Sequence, residues 1–172
     1  MTYYICQLLL NDDAFFVLWY GNESNGVKME KGQLVYAHSI PPLLHYSELK
    51  NLGVDSSSIA QHDFFDFNEI EGWLNRPKAS INCEYFLNLW NILVDTIASQ
   101  NNPSLFLDLA EGENGIFIYN QLFWGANLPD YTPPGKVHIP DWKAEDISSL
   151  QTLFKVGLKE LKDIIQNGIE MR

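Results

Sequence analysis

The chain has 172 residues, 46% of them hydrophobic and 13% aromatic, and carries a net charge of −11. That length suits one domain with its own core, and the composition fits a folded chain, not a disordered one. Twenty-two acids against eleven bases disfavour nucleic acid and anionic lipid as partners. No apolar run reaches the roughly 18 residues that a membrane span requires.

The opening MTYYICQLLLNDD has no basic stretch ahead of its apolar run and no small-residue cleavage site. No signal peptide and a cytoplasmic location are therefore expected. Apolar alternation predicts strands over residues 3–10 and 14–20, joined by the turn-forming NDD, and a third over residues 33–40 that Pro41 and Pro42 end. Short links between successive strands point to an antiparallel meander.

Helical periods follow. LLHYSELKNLG predicts a short helix closed by Gly53. DFNEIEGWLN predicts another, with Ile70, Trp73 and Leu74 on one side and a stop at Arg76-Pro77. Over residues 82–99, Cys83, Phe86, Leu87, Trp90, Leu93, Val94 and Ile97 recur at helical spacing behind a capping Asn82. Over residues 143–167, Ile147, Leu150, Phe154, Leu158, Leu161 and Ile165 form a second stripe, with Asp141 as cap and Gly168 as stop. Between the two lie SLFLDLA and GIFIYNQLFW, separated by EGENG. Their alternating apolar positions predict a hairpin, although Ile116, Tyr119 and Phe123 also fit a helix. The expected fold is a single α+β domain over residues 1–172, with an antiparallel sheet packed against two long amphipathic helices.

QLFWGANLPDYTPPGKVHIPDW, residues 121–142, holds two tryptophans and four prolines and has no helical or strand period. Proline fixes φ and removes an amide donor, so the run reads as a rigid connector pinned to the core by its aromatics.

Catalytic signatures are sparse. His38, His45, His62 and His138 are scattered, and His62-Asp63 are adjacent, so their side chains diverge. Cys6 and Cys83 sit inside apolar patterns, which predicts buried, reduced, unreactive thiols. Nucleophile elbows and phosphate-binding glycine loops do not occur, and neither metal nor cofactor is expected.

The acids are lopsided. Residues 51–130 hold eleven Asp or Glu against only Arg76 and Lys78. In HDFFDFNEIEGW, Asp63, Asp66, Glu69 and Glu71 are interleaved with Phe64, Phe65, Phe67 and Trp73. One reading is a core ringed by solvated acids. Another is a recognition face for a basic protein, in which aromatics give contact area and carboxylates steer the approach. The candidate partner-binding residues are Asp63, Asp66, Glu69, Glu71, Glu111 and Glu113.

LFWGANLPDYTPPGKVHIPDW followed by an amphipathic terminal helix resembles small bacterial immunity proteins, the cognate partners of contact-dependent inhibition and other polymorphic toxins. The resemblance covers residues 82–172. It implies a cytoplasmic, non-enzymatic inhibitor that binds one toxin domain tightly, and such toxins are often basic nucleases. The rival expectation is a small enzyme or small-molecule-binding domain with carboxylates in an aromatic-lined cleft, and a third is a structural adaptor. An immunity protein should expose an acidic patch and lack a deep pocket, whereas an enzyme should bury a carboxylate or histidine of shifted pKa in a cleft.

Overall fold

A computed structural model describes residues 1–21, 24–55, 57 and 63–172. The chain is α+β. Its strands are β1 (Thr2–Leu10), β2 (Asp13–Gly21), β3 (Gly26–Val27), β4 (Met29–Glu30), β5 (Gln33–Ala37), β6 (Gly53–Val54), β7 (Asp63–Asp66) and β8 (Ile169–Met171). Its helices are α1 (Ile40–Leu49), α2 (Asn68–Asn75), α3 (Cys83–Ala98), α4 (Leu105–Glu111), α5 (Glu113–Gly125) and α6 (Ala144–Gln166). No helix among the described residues is long and apolar enough to cross a membrane.

The expected β1–β2 hairpin forms, with Leu10 opposite Asp13. Its two-residue turn puts Asn11 at φ 51° and Asp12 at φ 62°. That left-handed pair matches the right-handed twist of the strands, and Asn and Asp tolerate it.

The sheet is mixed, which corrects the all-antiparallel expectation. β5 pairs antiparallel with β2. The chain then leaves the meander through α1 and returns beside β1, where β6 and β7 run parallel to it. β8 adds in parallel to β5. The third strand also stops at Ala37, before Pro41. Pro41 and Pro42 instead occupy the first turn of α1, where an amide hydrogen has no helical acceptor anyway. Gly53 lies in β6, and the chain turns out of α1 at Asn51, whose φ is 52°.

Strand alternation divides the core. Cys6, Leu8 and Leu10 point into the larger cluster, shared with α2 to α6. Tyr3 and Ile5 point to the other face, where Leu43 and Tyr46 of α1 cover them. The stripes of α3 and α6 are buried as expected: Phe86, Trp90, Leu93 and Ile97 on one, Leu150, Phe154, Leu158 and Leu161 on the other. Asn82 caps α3 by accepting from the Tyr85 amide at 3.1 Å. Asp141 does not cap α6. Its N-cap is Lys143, whose amide donates to the Asp146 carboxylate at 3.0 Å.

The hairpin expected over residues 104–124 is overturned, because both segments are helical. Ser104 caps α4, accepting from the Leu107 amide at 3.0 Å. Glu160 of α6 accepts from the Ser104 hydroxyl at 2.6 Å and the Phe106 amide at 3.0 Å. A carboxylate at a helix N-terminus meets both the free amides and the positive end of the dipole. α5 starts at once behind Gly112, and a Cβ on Gly115 would run into the Leu109 and Ala110 carbonyls. Only glycine permits that close approach.

Candidate functional site

The six candidate acids fall into two groups. Asp63 and Asp66 bound β7, and Glu69 and Glu71 lie on α2. Of the Asp63 side chain nothing is described, and His62 lies outside the described residues. Asp66 accepts from the Asn68 amide at 2.9 Å, which shapes the turn into α2, and its carbonyl accepts from the Tyr85 hydroxyl at 2.6 Å. Burial drives the Tyr85 phenol far above its usual range, and the Glu69 and Asp66 charges push the same way. Glu69 is exposed, while Glu71 pairs with Lys162 of α6.

Glu111 and Glu113 flank the α4–α5 junction and are exposed. The two groups sit on opposite flanks of α6. Gln151 and Lys162 reach α2, whereas Glu160 reaches α4. At 3.6 residues per turn, Gln151 and Lys162 are about 20° apart and Glu160 is roughly 180° from Gln151. Among the described residues, Asp66, Glu69 and Glu71 therefore do not share one continuous face with Glu111 and Glu113.

Glu111 and Glu113 do adjoin an apolar surface. α5 carries large apolar residues on more than one side, with Asn114, Asn120 and Gln121 among them, and it buries Ile118 and Leu122. Its outer side therefore shows Ile116, Phe117 and Trp124, which are 51%, 48% and 49% exposed. The proline-rich run continues this surface. Residues 121–125 belong to α5, which corrects the reading of the whole run as connector, and residues 127–142 fold back beside the helix. Asn127 holds the return: its Nδ2 donates to the Gly125 and His138 carbonyls, each at 2.9 Å, and its Oδ1 accepts from the His138 amide at 2.7 Å. The connector is pinned on one side only. Trp142 and Leu128 pack on the core, while Tyr131, Val137 and Ile139 are exposed. From residue 111 to 145 the acids Glu111, Glu113, Asp130, Asp141 and Glu145 face only Lys136 and Lys143.

A second feature lies where the sheet meets α3. Asn88, Asn91 and Asp95 share the outward side of that helix and line a cleft of about 510 Å³ with Trp19, Phe65 and Tyr119. Trp19 of β2 donates its indole Nε1–H to Asp95 Oδ2 at 2.8 Å. Burial pushes the Asp95 carboxyl above its ordinary value, and the Trp19 hydrogen bond opposes that rise. Asp95 has no ion-pair partner among the described residues. The next turn is fixed in place: Ser99 Oγ donates to the Asp95 carbonyl at 2.6 Å and accepts from the Val27 amide at 2.9 Å. Tyr119 joins the cleft to the α5 surface. Its ring stacks on Phe123 at 6.3 Å, and Phe123 meets Tyr131 at 5.1 Å.

Cys6 and Cys83 are both buried, as the sequence leads one to expect. Burial pushes the Cys83 thiol up, away from reactivity. Among the described residues no group of three His, Cys, Asp or Glu could hold a metal ion. Sequence reasoning missed the Asp95 cleft, since Asn88, Asn91 and Asp95 read as an ordinary solvated helix face. It also missed the exposed side of α5, whose signal was present: its apolar residues spread over more of the helix than one core contact hides. No protein-family model matches this chain, and comparisons with curated proteins and with solved structures find no similar protein.

Proposed function

We propose that the protein is a non-enzymatic inhibitor of the immunity type, which neutralises a basic toxin domain by binding it. The observation that carries this reading is the exposed side of α5, where Ile116 and Phe117 follow Glu111 and Glu113 at the start of the helix and Trp124 is exposed at its far end. Aromatic and aliphatic anchors within an acidic rim suit a basic protein partner, because the anchors supply buried area and the rim speeds encounter. Asp66 and Glu69 on the other flank of α6 extend the attraction at long range. Glu71, already paired with Lys162, contributes least.

The experiment is co-expression with the product of the neighbouring upstream gene, where that gene encodes a large secreted toxin. The protein should restore growth and co-elute with that product as a stable complex. Phe117→Ala with Trp124→Ala should abolish both effects while the protein stays folded. Neither rescue nor complex formation with the wild-type protein would sink the proposal.

A further inference from the structure

We infer that the Asp95 cleft binds a guanidinium group, the planar cation seating on the carboxylate between the Trp19 and Tyr119 rings. This does not rest on the docking role given to α5. The charge supplies the first reason. Asp95 is half-buried, keeps one hydrogen bond, from Trp19 at 2.8 Å, and has no cation beside it among the described residues. A partly desolvated carboxylate with an open acceptor favours an arriving cation, and the cleft beside it holds about 510 Å³.

The walls supply the second reason. Trp19, Phe65 and Tyr119 offer ring faces and edges, and Asn88 and Asn91 offer amide oxygens at the mouth. Rings attract cations through their quadrupole, most strongly where water is displaced. A metal ion would need several carboxylate, imidazole or thiolate ligands, and the cleft holds one carboxylate. Among organic cations the guanidinium fits best: it is planar, weakly hydrated, and can meet Asp95 and an asparagine oxygen with separate N–H groups. An ammonium is more tightly hydrated and would lose more on entry.

Such a group could arrive on a free small molecule or on an arginine side chain, and the test separates the two. The Trp19 indole N–H resonance, identified by its loss in Trp19→Phe, is followed by NMR during titration of the full-length protein. The probes are agmatine, its uncharged urea analogue N-carbamoylputrescine, and the capped peptide Gly-Arg-Gly. The expected result is a saturable shift with agmatine or the peptide, and none with the urea analogue. Asp95→Asn, which keeps an acceptor for Trp19, should weaken binding about tenfold or more, as loss of a charged hydrogen-bond partner does. A response to the peptide alone assigns the cleft to a protein's arginine; a response to both admits a free guanidine. If neither guanidinium probe shifts the resonance, or if Asp95→Asn binds equally well, the inference is overturned.

Discussion

Trp19 on β2 and Asp95 on α3, separated by 76 positions in the chain, are joined by an indole N–H to carboxylate hydrogen bond of 2.8 Å. Together with the Val27 amide on Ser99 Oγ at 2.9 Å, this bond ties the sheet to the last turn of the helix. The carboxylate is half-buried at the wall of the cleft.

That placement has a cost with a defined pH dependence. Burial raises the Asp95 pKa, so the folded state holds this proton more tightly than the unfolded chain does. The penalty is absent below the unfolded pKa, grows up to the folded pKa and is fully present above it. Asp95→Asn, which still accepts from Trp19, should therefore be at least as stable as wild type at about pH 7, with the gain shrinking near pH 4. Urea midpoints for both proteins at the two pH values test this. A variant clearly weaker than wild type at neutral pH would contradict it.

Trp90 is the aromatic hub of the larger core. It is 3% exposed, with the rings of Phe106, Tyr119 and Phe154 at 6.0, 5.8 and 6.1 Å. Three helices, α4, α5 and α6, meet on this one side chain of α3. Trp90→Ala should cost about 3–5 kcal/mol, as large-to-small core truncations do. A loss below about 1 kcal/mol in equilibrium unfolding would mean that the helices close over the gap.

The thiols give a sensitive readout of local opening. Cys6 lies under α3 at 1% exposure and Cys83 is buried at the start of that helix. Under native conditions Ellman's reagent should label neither at a useful rate, and both should react on unfolding. Rapid labelling of Cys83 alone would show that the first turn of α3 frays.

Much of the fold was legible in the sequence, for identifiable reasons. The Asn11-Asp12 turn could be read because few residues accept its backbone, and the α3 and α6 stripes because their opposite faces are polar. α4 was misread, and α5 read as a strand first with a helix as the alternative, because Phe, Ile and Tyr favour strands in isolation. The Ser104 cap and the Glu160 carboxylate, 56 residues away, override that preference. The parallel pairing of β7 with β1 was hidden because the return past α1 is a tertiary choice, and β8 is only three residues long. The acids illustrate the same limit. Their number is plain in the sequence, but which flank of α6 each one reaches depends on packing.

The division of the acids between the flanks of α6 leads to the last prediction. Glu71→Lys breaks the pair with Lys162 and should cost no more than about 1 kcal/mol, as partly exposed ion pairs generally do. Its effect on partner association should be small, because that carboxylate is already neutralised. Glu111→Lys with Glu113→Lys should behave in the opposite way. Both positions are exposed, so unfolding should shift by less than about 0.5 kcal/mol. Association with the basic partner should slow, and its salt dependence should flatten, because charges beside the docking face govern the encounter rate. Phe117→Ala and Trp124→Ala should instead speed dissociation, since they remove anchors that are in contact only after docking. Stopped-flow kinetics at two salt concentrations separate these effects. If Glu71→Lys slows association as much as the Glu111 and Glu113 reversals, the partner docks across α2 and not on α5.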